Sequence, residues 1–267
     1  MSLIKIPKTE PRQLVLDIET SKTIYGTYPS QRSQYLSHRD IIQDWFIICA
    51  SWKWIGYQTV YTVSLLDDKE RYKNNPTDDY YVVQILHQLL QNADSVIGHN
   101  MDKFDYRKIL ERIICYGMEP IDKPKIIDTL KMAKQAAFSY NNLDYLCQRL
   151  ETSSQKRENG GNAMWMDIVQ GKDPKRIVEC VEYCKGDVPT AEELYLKMAP
   201  YMPTNMILNQ NVWKHEDHQG CPYCKSENYV RRGSRPVVNS KHSIFSCNDC
   251  GHHFTDGVTV MKTKKKK

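Results

Sequence analysis

The sequence predicts an α/β domain, a mixed sheet with flanking helices, followed by a small metal-stapled appendage. Three observations carry this. Short apolar runs rich in strand formers give way, after the third of them, to alternation with helical patterns. Charge balances over residues 1–200, 26 Lys+Arg against 27 Asp+Glu, but not over 201–267, where 11 basic residues face 5 acidic ones. Four cysteines fall in two Cys-x-x-Cys knuckles, CPYC at 221–224 and CNDC at 247–250. The 267 residues suit one large domain plus an appendage. No apolar run approaches the roughly 20 residues that span a bilayer, so no membrane partner is expected. The opening MSLIKIPKTE lacks the apolar stretch of a secretion signal, and nine cysteines in such a chain point to reduced thiols or metal ligands in a reducing cytoplasm.

The elements follow in order. LVLDIET (14–20) is a short strand ending in acids. WFIICASWKWIG (45–56) and TVYTVSLLD (59–67) read as the next two strands, joined through a Gly-Tyr-Gln turn into an antiparallel meander. DDYYVVQILHQLLQNA (78–93) has helical spacing through Tyr81, Ile85, Leu89 and Leu90. SVIGHN (95–100) is a buried strand, FDYRKILERIICYGM (104–118) an amphipathic helix and KIIDT (125–129) a further strand. Helical segments follow at LKMAKQAAF, NNLDYLCQRLE and DPKRIVECVEYCKGD, while the polar SSQKRENGGNA (153–163) reads as a loop. Pro189 lacks an N–H and opposes the carbonyl of Lys185, which predicts a kink or restart of the last helix near Asp187. The domain reading is 1–200 for the α/β domain, 201–218 for a linker, 219–257 for the appendage and 258–267 for a basic tail.

Acids gather at strand and helix ends. Asp17 and Glu19 lie two apart on the first strand and share a face. Two carboxylates there repel each other, and a divalent cation is the natural neutraliser. Asp105 opens a helix, and Tyr183 and Asp187 stand one helical turn apart near the end of the large domain. Asp102 competes with Asp105, and Asp128 reads as a cap for the helix after its strand. His99 and Asn100 end a strand beside Asp105; His99 reads first as a satisfied structural group. Trp45, Trp52, Trp54 and Trp165 read as core.

The order of three strands, helix, strand, helix, strand is similar to that of a ribonuclease-H-like fold. The D-x-E of LVLDIET, the N-x-x-x-F-D of GHNMDKFD and the Y-x-x-x-D of YCKGD, in that order, resemble the three motifs of DEDDy-type 3′–5′ exonucleases, including the proofreading domains of family A and B DNA polymerases. The resemblance covers about residues 12–200. It implies that Asp17, Glu19, Asp105 and Asp187 hold two Mg²⁺ or Mn²⁺ ions and that Tyr183 aligns the attacking water. It also favours Asp105 over Asp102, because the family acid follows the aromatic residue directly. The implied activity is 3′–5′ hydrolysis of DNA, single-stranded at its 3′ end, to nucleoside monophosphates. RNA as substrate, or an idle nucleic-acid-binding scaffold, are the alternatives. With no room for a polymerase module, proofreading would act in trans.

The two knuckles, 22 residues apart, place Cys221, Cys224, Cys247 and Cys250 as ligands of one structural Zn²⁺ in a ribbon too small to be stable without it. His252 and His253 are spectators in that reading. Cys49, Cys115, Cys147, Cys180 and Cys184 are expected as buried thiols. Arg231, Arg232, Arg235 and Lys241 lie between the knuckles with Tyr229 and Phe245, a pattern suited to phosphate contacts and stacking. The same charges would serve a ribbon that docks on a replication or recombination protein.

Overall fold

A computed structural model of the chain describes residues 4–7, 11–26, 36–153, 161–171, 173–203, 205–207, 221, 224, 226–237, 240–251 and 253–255. The chain divides into two compact units, Met1–Leu208 and Asn209–Lys267. In the first, the strands are β1 (Gln13–Thr20), β2 (Ile24–Tyr25), β3 (Ile41–Gln43), β4 (Ile47–Trp54), β5 (Tyr61–Ser64), β6 (Ser95–Gly98) and β7 (Lys125–Asp128). Its helices are α1 (Lys69–Asn74), α2 (Tyr80–Asn92), α3 (Asp105–Cys115), α4 (Thr129–Gln135), α5 (Leu143–Arg149), α6 (Gly161–Val169) and α7 (Lys175–Met198).

Five strands form one sheet in the order β5-β4-β1-β6-β7, and β2 pairs with β3 in a short separate ribbon. β1 runs antiparallel to β4 and parallel to β6; β4 and β5 are antiparallel, β6 and β7 parallel. The antiparallel half is the predicted meander, and the parallel half is built by helical crossovers. This is the ribonuclease-H-like mixed sheet with flanking helices. Gly98 closes β6 where a side chain does not fit: a Cβ there would stand 2.9 Å from the Leu16 carbonyl oxygen of β1.

The alternation of β1 divides its side chains between two cores. Leu14, Leu16 and Ile18 join Val82, Leu86 and Leu89 of α2 and Ile109 and Ile113 of α3. Val15 joins Ile97, Ile127, Leu146 of α5 and Val188 and Leu194 of α7. Asp17 and Glu19 share the parity of Val15, so their side chains leave β1 on the side that α7 covers.

Three expectations are corrected here. α7 continues through Pro189 for 24 residues with no restart at Asp187. The lost N–H leaves the Lys185 carbonyl without its helical donor, but Val188, Ala191 and Leu194 are packed against the core. Tertiary burial outweighs the local penalty. The loop expected over 153–163 ends sooner, because α6 begins at Gly161; residues 154–160 lie outside the described residues. Cys115 is exposed, whereas Cys49, Cys147, Cys180 and Cys184 are buried as expected. Trp45, Trp52 and Trp54 are core residues.

One buried polar node ties α2, α3 and β4 together. The fully buried Asp79 accepts from Arg112 Nε at 2.9 Å, from the Tyr116 hydroxyl at 2.6 Å and from the Ile47 N–H at 2.7 Å. Burial, then the adjoining Asp79, push the Tyr116 phenol well above its ordinary range. Asp79→Ala leaves Arg112 without its counter-charge and two further donors without an acceptor. It is expected to cost about 3–5 kcal/mol, read as a lowered urea midpoint with an unchanged slope.

In the second unit β8 (Tyr229–Val237), β9 (Ser240–Cys247) and β10 (His253–Thr255) form an antiparallel sheet in the order β10-β9-β8. Most of the linker expected over 201–218, and all of the tail over 258–267, lie outside the described residues.

Candidate active site and cysteine centre

The four acids expected as cation ligands reach one place. Asp17, Glu19, Asp105, Tyr183 and Asp187 line a single open cleft of about 520 Å³, together with His99, Asn100, Phe104, Asn141, Asn142 and Leu143 among others. Local structure accounts for each position. Asp17 and Glu19 stand at the end of β1, where the register with β4 shifts between Glu19 and Thr20. Asp105 opens α3 and accepts from the Ile18 N–H at 3.2 Å, tying the helix start to β1. Tyr183 and Asp187 are buried on consecutive turns of α7, and the Cys184 thiol between them donates to the Asp17 carbonyl at 3.4 Å.

Asp102 does not line the cleft; it turns outward to Lys131. Asp128 caps α4 through the Leu130 N–H at 3.0 Å and also accepts from the N–H groups of Asn100 at 2.9 Å and Asp102 at 3.3 Å. It therefore clamps the loop that delivers Asp105. His99 is both structural and a wall of the cleft. Its Nδ1 is hydrogen-bonded to Thr129 Oγ1 at 2.9 Å, and that hydroxyl also lies 3.3 Å from the Gly98 carbonyl oxygen. Asn141, Asn142 and Leu143, which the sequence reading left as part of a helical segment, form the wall before α5. Asparagine and leucine carry no chemical signature that would have marked them.

The electrostatics are severe. Burial pushes the Asp17 carboxyl well above the usual carboxylate range, and Cys184, Asp105, Glu19 and Asp187 push it the same way. Burial likewise raises Asp105 to about 7, against the backbone N–H groups of Asp105 and Ile18 that favour its charged form. Asp17 Oδ2 is shielded from solvent with no hydrogen-bond donor, and no cleft-lining residue is Lys or Arg, among the described residues. An all-oxygen donor set in which four carboxylates crowd one cleft fits hard divalent cations.

A pH dependence follows for the metal-free protein. The folded state keeps the Asp105 proton up to about 7, whereas the unfolded chain releases it near 3.8. Between those values the folded state binds the extra proton, so stability falls as pH rises. The loss is expected to reach a few kcal/mol by pH ~8. Thermal melts with and without chelator should show it, with Mg²⁺ or Mn²⁺ restoring stability at the alkaline end. Asp105→Asn should flatten the dependence.

In the second unit the sulfur atoms of Cys221, Cys224, Cys247 and Cys250 all lie within 4.8 Å of one another. Cys221 and Cys250 are 3.6 Å apart, Cys224 and Cys247 3.5 Å. Four thiolates at ~2.3 Å from a tetrahedral Zn²⁺ stand about 3.8 Å apart, so the cluster is compatible with a small zinc ribbon. The knuckles are braced by Cys221 N–H to the Ser226 carbonyl at 2.7 Å and Gly251 N–H to the Cys247 carbonyl at 3.0 Å. Gly251 adopts a φ of 73°, as the turn requires. Burial raises the Cys247 thiol, but the backbone N–H groups of Cys250 and Asp249 and the neighbouring thiols outweigh it, bringing it down to about 7.

Arg231 and Arg232 are exposed on β8. Arg235 and Lys241 sit in the same hairpin, paired in backbone register with His242 and Pro236; their side chains lie outside the described residues. Tyr229 and Phe245 pack edge to face against each other, centroids 5.4 Å apart. His253 lies exposed in β10, and His252 is outside the described residues.

No curated protein matches the chain. One family model, that of the RNase_H superfamily, matches residues 55–199, which takes in Asp105, Tyr183 and Asp187 and begins after β1 and its two acids. Because this match spans more than half of the 267 residues and agrees with the sheet order, the chain belongs to the RNase_H superfamily.

Proposed function

We propose that this chain is a metal-dependent 3′–5′ exonuclease that releases nucleoside monophosphates from DNA, single-stranded at its 3′ end. Membership of the superfamily supports a nuclease function in general. The observation that carries the finer reading is the convergence of Asp17, Glu19, Asp105, Asp187 and Tyr183 on one cleft from β1, α3 and α7. The four carboxylates would hold two Mg²⁺ or Mn²⁺ ions, which when bound supply an activated water and charge stabilisation of the leaving 3′ oxygen. The chain supplies the rest. The Tyr183 hydroxyl, one turn from Asp187 on a buried helix face, orients a water by hydrogen bonding. His99 and Asn100 present polar edges to a terminal nucleotide, and Asp128 holds their loop in place. A cleft of about 520 Å³ has room for one nucleotide. In the second unit one Zn²⁺ would be held by Cys221, Cys224, Cys247 and Cys250, with Arg231, Arg232, Arg235 and Lys241 contacting phosphates.

The deciding experiment digests matched DNA and RNA single strands, labelled at the 3′ or the 5′ end, with Mg²⁺ or Mn²⁺ and with chelator. The 3′ label should leave first as a mononucleotide, the 5′ label should appear as a shortening ladder, and chelator should stop both. Preferential digestion of RNA would make the chain a ribonuclease. Binding without any cleavage would make it a scaffold.

A further inference from the structure

A strand drawn to this cleft meets four carboxylates and, among the described lining residues, no Lys or Arg. Bound divalent cations would offset the carboxylates, and any further attraction for a polyanion falls to the rim. Asn100 and Phe104 both line the cleft, and between them Asp102 faces outward amid three cations. Lys131 Nζ bonds Asp102 Oδ2, Lys123 Nζ lies 3.7 Å from Oδ1, and Arg107 Nε donates to the Asp102 carbonyl at 3.2 Å. These cations come from α4, the segment before β7, and α3. One ion pair would satisfy the Asp102 carboxylate; with Asp128 bonded to the same loop, three cations still outnumber the two acids.

The group is held in place. Asp128 accepts from the Asp102 N–H and caps α4, whose Leu130 lines the cleft and whose next residue is Lys131. The ammonium-bearing side chains of Lys123 and Lys131 remain 59% and 48% exposed, so both reach solvent while gathered. The hydrogen bond from Lys131 holds the Asp102 carboxyl below its ordinary range, with Lys123 and Arg107 adding to it, so the carboxylate stays charged.

We propose that Lys123, Lys131 and Arg107, gathered by Asp102, form a phosphate-binding rim that receives the nucleic-acid backbone beside the cleft. Asp102 competes with the phosphates for the same cations, which moderates the grip and lets the strand advance after each cut. The proposal rests on the nucleolytic reading of the cleft.

The test uses the full chain with Asp187→Asn to prevent cleavage and follows binding of a short fluorescent single-stranded DNA through a salt titration. Replacing Lys123, Lys131 and Arg107 together by Gln should weaken binding on the order of 100-fold at ~0.1 M salt and flatten the log-log salt slope by about 2. Asp102→Asn should do the opposite, tightening binding and steepening the slope, because it frees cations that a purely structural cluster would merely lose. Should the triple variant melt early, Asp102→Asn and the single Lys123→Gln carry the test. Unchanged slopes in these variants, with normal binding by the parent, overturn the rim alone. A wild-type chain that neither binds nor cleaves nucleic acid overturns the nucleolytic reading beneath it.

Discussion

Asp17→Asn is expected to reduce metal-dependent cleavage on the order of 10³-fold or more while leaving the metal-free protein more stable, not less. Both effects have one origin. Asp17 Oδ2 is shielded with no donor among the described residues, and burial together with Cys184, Asp105, Glu19 and Asp187 disfavours its charge. A neutral amide of the same shape removes that penalty. It also removes a cation ligand, and loss of a ligand exceeds the 10–100-fold cost typical of an outer-shell partner. The measurement pairs initial cleavage rates with thermal melting in chelator. Tyr183→Phe provides the graded control: it keeps every carboxylate and loses one hydrogen bond, so about tenfold of the rate should go. Near-wild-type cleavage by Asp17→Asn would remove β1 from the chemistry, and an unaffected Tyr183→Phe would return Tyr183 to the core.

Cys247→Ser is expected to unfold the second unit outright. That unit has a three-stranded sheet and few apolar residues to bury, and structural zinc sites of this kind supply roughly 10–16 kcal/mol of folding free energy. Cys247 is buried at the end of β9, with its thiol 3.5 Å from that of Cys224, so serine removes a thiolate that has no substitute within the cluster. Loss of dispersed amide signals over Asn209–Lys267, reproduced in the wild type by a strong chelator and reversed by Zn²⁺, would establish it. A Cys247→Ser chain with native signals there, and no bound zinc, would show that the ribbon stands on its own core.

The sequence made the order of elements legible because strands and helices of the large domain differ in period and length. LVLDIET and SVIGHN are short and apolar, whereas α2 and α3 repeat at helical spacing. Asp17, Glu19, Asp105, Tyr183 and Asp187 were legible as a group because the D-x-E, N-x-x-x-F-D and Y-x-x-x-D patterns resemble known motifs in their order, and all five line one cleft. What stayed hidden depends on contacts distant in the chain. Pro189 carries a local penalty that is visible in sequence, but the packing of Val188, Ala191 and Leu194 that offsets it is not. Asn141, Asn142 and Leu143 enter the cleft only because α5 starts beside it. Asp102 looked like a rival catalytic acid, and only the positions of Lys123, Lys131 and Arg107 show why it faces away.

The passage of α7 across the sheet has a consequence for biosynthesis. Asp17 and Asp187 are some 170 positions apart, so at typical translation speeds roughly ten to thirty seconds separate the synthesis of β1 from that of its partner helix. During that interval the nascent chain holds Asp17 and Glu19 without the helix that carries Tyr183 and Asp187, and the face of β1 and β4 that α7 covers lies bare. The cleft that gathers the four carboxylates is therefore complete only once the final helix of the domain has docked, and a half-made chain lacks Tyr183 and Asp187 from its wall.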